Sequence, residues 1–198
     1  MHLLVGILFL GISLVASANT DAEALVESVS NRVLQVLTES QATSAANAEE
    51  LYKQVQQEVE SFMDFNAMAK LTLGMKWQDA TPEQQQRFTN AYQALLVRVY
   101  SRSLLEHTGE NLQVSTSRPG PSAEYVSIVG MLVQADGNKS TDMNYDLRLV
   151  NGKWQAYNVD IGGVSLTRDF RSRFAAEIAA NGLESLITRL EQGDGFDS

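Results

Sequence analysis

Apolar positions change their period at Gly109, and the change separates two kinds of structure. From Leu25 to Leu104 apolar residues recur at three- and four-residue spacing, as in Leu25, Val26, Val29, Val33, Val36 and Leu37. That spacing keeps one helical face apolar. Thr20-Asp21-Ala22-Glu23 reads as a capping box opening this first helix, and the polar stretch from Thr38 to Asn47 interrupts it. Leu51, Val55, Val59 and Phe62 predict a second helix, and Phe65 to Leu73 a third, closed by Gly74. Thr81-Pro82-Glu83-Gln84 combines an N-cap, a proline at the first helical position and a reciprocal glutamine, so a long helix should begin there. Its stripe is Phe88, Tyr92, Leu95, Leu96, Val99, Tyr100 and Leu104, ending at His107-Thr108-Gly109.

Beyond Gly109 the period becomes two. Strands are predicted over Leu112 to Thr116, Tyr125 to Gln134, Met143 to Val150 and Lys153 to Ile161. Asn151-Gly152 signals a type I′ hairpin. The second strand carries Val126, Ile128 and Leu132 on one face and Tyr125, Val129, Met131 and Val133 on the other, which predicts cover on both sides. The third alternates Tyr145, Leu147 and Leu149 with Asn144, Asp146 and Arg148, so one face should meet water. Gly162-Gly163 ends the sheet, and helices follow from about Ser165 to Ala180 and from Leu183 to Gln192. Helices, then a meander of strands, then helices imply an α+β fold with a curved antiparallel sheet against several helices.

Ahead of this pattern, Leu3 to Val15 is an apolar run ending in Ala16-Ser17-Ala18. It is shorter than the roughly 20 residues of a membrane span and is followed at once by polar residues. The expectation is a cleaved export signal over 1–18 and a single domain over 19–198, although the leading residues lack the usual lysine or arginine. The chain carries 24 acidic against 15 basic side chains, a net charge of −9. Nucleic-acid binding needs clustered positive charge, so it is excluded as the leading reading. With no cysteine, an exported protein has no disulfide framework, and the core alone must hold the fold.

Candidate chemistry is sparse. His107 is the one histidine beyond the export signal, and its place at a helix end points to free carbonyls rather than to catalysis. No Cys-His pair or Cys/His metal cluster can be assembled, no G-x-S-x-G surrounds a serine, and Gly162-Gly163 lacks the context of a phosphate loop. No metal and no cofactor is called for. Asp146 and Asp160 are the one carboxylate pair with a claim to acid/base work. Arg168, Arg171 and Arg173 form a local basic cluster, either balanced by Asp169 and Glu177 or available to a partner or lipid headgroup.

Several blocks taken in order resemble the MlaC (toluene-tolerance) family of periplasmic phospholipid-binding proteins. They are Met63-Asp64-Phe65-Asn66-Ala67-Met68-Ala69, Leu73-Gly74, Trp77 with Ala80-Thr81-Pro82-Glu83-Gln84, and Phe88 through Tyr100 to Leu104. Trp154 to Val159, Gly163-Val164-Ser165-Leu166 and Phe170-Arg171-Ser172-Arg173-Phe174 continue the match, with Phe170 where a tyrosine is expected. The resemblance implies a nuclear-transport-factor-like cone with an apolar lipid pocket. It also implies a soluble, non-enzymatic periplasmic carrier that exchanges phospholipid with an outer-membrane lipoprotein complex and an inner-membrane ABC transporter complex, and so maintains outer-membrane lipid asymmetry. Moving two tails into water exposes about thirty methylenes at ~0.8 kcal/mol each, on the order of 20 kcal/mol, so such a step needs an apolar container.

On that resemblance the lipid-contacting candidates are Leu73, Tyr92, Leu96, Val99, Tyr100, Val126, Ile128, Tyr145, Leu147, Tyr157, Val159, Val164 and Leu166. Spacing alone does not separate pocket wall from packed core. Two other readings stay open: a small enzyme using an acid and a tyrosine inside the cone, and an interaction protein with a filled core.

Overall fold

The computed structural model describes residues 12–42 and 48–193. Helix α1 (Ile12–Ala42) runs unbroken through Thr20 and Thr38, so the expected capping box and the expected break at Thr38 are not used. No glycine or proline lies within α1 to interrupt its backbone ladder, and Thr38 turns its hydroxyl back to the Leu34 carbonyl at 2.8 Å. Residues 1–11 of the expected export signal and part of the polar stretch after Thr38 fall outside the described residues.

Helix α2 (Ala48–Val59) is followed by α3 (Phe65–Leu73), the single turn α4 (Lys76–Asp79) and α5 (Pro82–Leu104). The capping box at Thr81 forms as expected, with the Thr81 Oγ accepting from the Gln84 amide and the Gln84 side chain accepting from the Thr81 amide. A 3-10 turn (Leu105–His107) leads into the sheet, and there His107 meets the Glu110 carboxylate at 3.1 Å rather than helix carbonyls.

Strands β1 (Asn111–Pro119), β2 (Tyr125–Val133), β3 (Lys139–Val150), β4 (Lys153–Ile161) and β5 (Val164–Ser165) form one antiparallel meander in chain order. Asn151 and Gly152 both take positive φ, 50° and 77°, as a type I′ turn requires. Gly162 and Gly163, at 57° and 84°, make a second two-residue turn into the short β5, a strand absent from the sequence reading. Register shifts at Val114/Thr116, Met131/Val133 and Asp146/Leu147 give each of the first three strand pairs an irregularity of the kind that bends a sheet. Helices α6 (Leu166–Asn181), capped by the Ser165 side chain, and α7 (Leu183–Glu191) close the order.

One sheet face packs against helices. On β2 the buried residues are Val126, Ile128, Gly130, Leu132 and Val133, whereas Tyr125, Ser127, Val129 and Met131 are half-buried. The two-sided cover expected for this strand is therefore only partial. The helical side is consolidated by Phe88, Tyr92, Phe170 and Phe174, whose ring centroids lie 5.3 to 5.9 Å apart. Such pairs contribute ~0.5–1.5 kcal/mol each beyond area burial. Phe170, 2% exposed, sits among rings in this cluster, where a tyrosine hydroxyl would need a partner.

Candidate functional site: a pair of apolar cavities

Between α1, α2, α5 and the sheet, side chains leave two spaces unfilled. The first, about 120 Å³, is walled by Val29, Ser30, Val33 and Leu34 of α1 and by Val59, Phe62, Met63 and Leu104. The sheet supplies Leu132, Met143, Tyr145, Val159 and Ile161. The second, about 100 Å³, lies among the helices and is lined by Val33, Val55, Val59, Met63, Phe65, Leu96, Val97, Tyr100, Ser101, Leu104 and Leu166. Four residues, Val33, Val59, Met63 and Leu104, belong to both walls.

Local sequence explains why these side chains converge. Val29, Val33 and Leu34 share one face of α1 at helical spacing. Tyr145 and Val159 are register partners on β3 and β4, so both project from the same sheet face. Met63 is fixed by backbone pairing on either side of it: Asp64 N–H donates to the Ala156 carbonyl and Ala156 N–H to the Phe62 carbonyl, both at 2.8 Å. Asp64 then caps α3 through its Oδ1, 2.9 Å from the Ala67 nitrogen, and binds Arg148 of β3 through Oδ2.

The few polar groups in the walls are quiet. Tyr145 and Ser30 share a hydrogen bond of 2.8 Å, and burial pushes the Tyr145 hydroxyl up to about 12, so it stays neutral. Burial also raises Tyr100, to about 12. The Ser101 hydroxyl, in a residue 1% exposed, has no hydrogen-bond partner. Walls so nearly free of polar groups suit hydrocarbon better than water.

Of the sequence candidates, Tyr145 and Val159 line the first cavity and Leu96, Tyr100 and Leu166 the second. Tyr92, Val126, Ile128 and Leu147 are packed in the core at 0 to 2% exposure and line neither; Val99 packs against the same core. Leu73 borders a separate outer cleft with Met75, Lys76, Arg171 and Ile178. Tyr157 falls at the Asp146/Leu147 irregularity and stands half-buried against Tyr125, ring centroids 6.1 Å apart. Val164 is 49% exposed on β5, outside both walls, because the Gly162-Gly163 turn carries it outward. Sequence reading missed Ser30, Leu34, Val97 and Ser101. Val29, Val33, Val55, Val59, Phe62, Met63, Phe65, Leu104, Leu132, Met143 and Ile161 had been placed in stripes, helices, strands or matching blocks without being singled out.

The carboxylate pair is elsewhere. Asp146 accepts from Ser127 Oγ at 2.6 Å and from Asn158 Nδ2 at 3.1 Å, and Asn158 Nδ2 also donates to Asp160 at 3.0 Å. Asn158 Oδ1 in turn accepts from Ser165 and Thr167, both at 2.9 Å, tying β4 to the start of α6. Asp146 and Asn158 are register partners next to Tyr145 and Val159, so they project from the face opposite the first cavity. Arg168 reaches Asp160 at 3.5 Å and Arg173 reaches Asp169 at 3.1 Å. Among the described residues no cluster of three or more His, Cys, Asp or Glu could hold a metal ion, and no helix is long and apolar enough to cross a membrane.

An α+β shell thus surrounds two apolar spaces, with its charged networks outside them. The chain belongs to the MlaC family, whose model, described as MlaC protein, matches residues 27–192. It is 24% identical over 159 residues to the toluene tolerance protein ttg2D of Pseudomonas putida, covering 80% of this chain and 73% of that one. It is 19% identical over 179 residues to the intermembrane phospholipid transport system binding protein MlaC of Haemophilus influenzae, covering 89% and 84%. Its fold matches a phospholipid-binding protein from Ralstonia solanacearum, solved in complex with a phospholipid, with a TM-score of 0.76 and 22% identity over 87% of this chain and 96% of that one.

Proposed function

We propose that this protein is a phospholipid carrier that holds acyl chains in the paired cavities and moves lipid between membranes. The observation that carries the reading is an almost wholly apolar interior in a chain of the MlaC family. A relative named for intermembrane phospholipid transport, and a fold relative solved with a phospholipid, support it. Exchanging bilayer hydrocarbon for cavity hydrocarbon leaves only a small net free energy, which permits both loading and release. The carrier acts in the periplasm after loss of residues 1–18, taking lipid from an outer-membrane lipoprotein complex to an inner-membrane ABC transporter complex, or the reverse, without chemical change to it. This traffic maintains the lipid asymmetry of the outer membrane.

Mass spectrometry of an organic extract of the purified periplasmic protein tests the reading. Near-stoichiometric phospholipid is expected, with N-terminal sequencing beginning at Asn19. A bound small metabolite would point to an enzyme, and a ligand-free protein unable to take lipid from vesicles would overturn the carrier.

A further inference from the structure

We infer that the outer cleft between the end of α3, α4 and α6 is a second binding site, one for an anionic amphiphile. The carboxylate or phosphate of the ligand sits between Arg171 and Lys76, and its hydrocarbon lies along Leu73, Ile178, Ala175 and Ala179. The site goes beyond the carrier reading and does not depend on it, since none of the residues lining this cleft lines either interior cavity.

The cleft measures about 520 Å³, inside the ~300–1,000 Å³ range of small-molecule sites. Its lining is apolar except for two cations and Thr72, whose hydroxyl donates to Tyr92 at 3.1 Å; among the described residues no carboxylate borders it. On α6, Arg168 reaches Asp160 and Arg173 reaches Asp169. Arg171, between them, has no hydrogen bond or ion pair among the described residues. Its guanidinium is nonetheless placed. A Cβ at position 74 would stand 2.6 Å from the Arg171 Nη2 and 3.0 Å from its Cζ, so the group rests against backbone that only a glycine leaves bare. An arginine fork held in this way grips carboxylate or phosphate through paired N–H bonds. Lys76 meets Asp79 at 3.4 Å with both side chains more than half exposed, a pair worth little, so its ammonium can turn to a ligand. Leu73 and Ile178 supply the apolar wall, and Ala175 and Ala179, one turn apart on α6, keep it open. The net charge of −9 does not forbid an anion here, because charges beyond ~8 Å are largely screened at physiological salt.

Met75 stands at the rim, 81% exposed, and the chain has no cysteine. Met75→Cys therefore offers a single attachment point for an environment-sensitive dye, which reports the cleft whatever the interior holds. Below their micelle concentrations, dodecanoate and dihexanoyl phosphatidylglycerol should each blue-shift the dye saturably, and the tighter of the two names the source, free fatty acid or phospholipid. Dodecyltrimethylammonium, of like chain length and opposite charge, and acetate, charged but without a chain, should bind at least tenfold more weakly. Arg171→Gln, a change to an exposed side chain whose folding a thermal melt checks, should weaken both anionic amphiphiles at least tenfold, and Arg168→Gln should not. In undyed protein with Met75 in place, the Ala175 and Ala179 methyl resonances should shift with the same affinities. A cationic amphiphile bound as tightly as the anionic ones, an Arg171→Gln variant of full affinity, or alanine methyls that neither anion moves would each overturn the site.

Discussion

Replacing Asp64 by alanine removes two contacts at once, and a small set of variants separates them. Its Oδ1 caps α3 at the Ala67 amide, 2.9 Å away, and its Oδ2 accepts from the Arg148 guanidinium, Nε at 2.8 Å. The loss of an N-cap costs about 1 kcal/mol. The Arg148 side chain is 38% exposed, so water replaces part of its lost partner and the ion pair is worth about 1 kcal/mol. Asp64→Ala should therefore destabilise by about 2 kcal/mol. Asparagine caps nearly as well, so Asp64→Asn should lose only the charge interaction, about 1 kcal/mol. In a cycle with Arg148→Met, the coupling energy from urea denaturation should be about 1 kcal/mol. Because Met63 and Phe65 flank Asp64 and line the cavities, the alanine variant should also release bound phospholipid faster than the asparagine variant does. An asparagine variant as unstable as the alanine one, or a coupling near zero, would show that Asp64 does not act through these two contacts.

Ser101→Ala should raise the stability of the delipidated protein by about 1 kcal/mol, since it removes a buried hydroxyl with no partner; calorimetry should show a melting temperature a few degrees higher, and a lower one would mean that the hydroxyl is bonded. Val164→Glu should change both lipid load and melting temperature negligibly, because Val164 is exposed and borders neither cavity; lipid loss would place β5 in the wall after all. Acid unfolding should depend on Arg87, which bonds Glu184 at 2.6 Å and Glu191 at 2.8 Å between α5 and α7. Both carboxylates are held below their ordinary value of 4.5, Glu184 by the Gln84 and Arg87 bonds and Glu191 by Arg87. Groups lowered in the folded state contribute stability above their unfolded value that is lost as pH falls through the folded one. Arg87→Met should thus flatten the fall in stability below about pH 4.5; circular dichroism across that range showing an unchanged slope would refute the clamp.

Local signals with a single geometric solution were legible in the sequence. Thr81-Pro82-Glu83-Gln84 could only start a helix economically, Asn151-Gly152 could only turn a hairpin with both φ angles positive, and the change of period at Gly109 placed the sheet. The site was less legible because its distinction from core is one of unfilled volume, and volume is a property of the whole packing. Tyr92 and Tyr100 lie two turns apart on one stripe of α5, yet Tyr92 is enclosed by Phe88, Phe170 and Phe174 while Tyr100 borders a cavity. Nothing in their spacing separates them. Ser101 shows the same limit from the other side, as a polar residue in an apolar wall outside every periodic pattern.

The division of labour along the sheet follows from what covers it. Val126, Ile128 and Leu147 are sealed in the core, whereas Leu132, Met143, Tyr145, Val159 and Ile161 face a space closed by Val29, Val33, Leu34, Val59 and Leu104. The sealed rows, with the edge-to-face rings between α5 and α6, hold the domain together whether or not anything occupies the interior. The side chains that line the remaining gap do not fill it, and hydrocarbon that enters gains the contacts they leave unmade. A carrier needs this partition of stability. If the cavity residues also held the fold, releasing the cargo would unfold the protein; if they filled their own space, there would be no drive to take cargo up. Loading should therefore raise the melting temperature while leaving the far-ultraviolet circular dichroism spectrum unchanged, because the elements that define the fold are built around the aromatic cluster and not around the cavities.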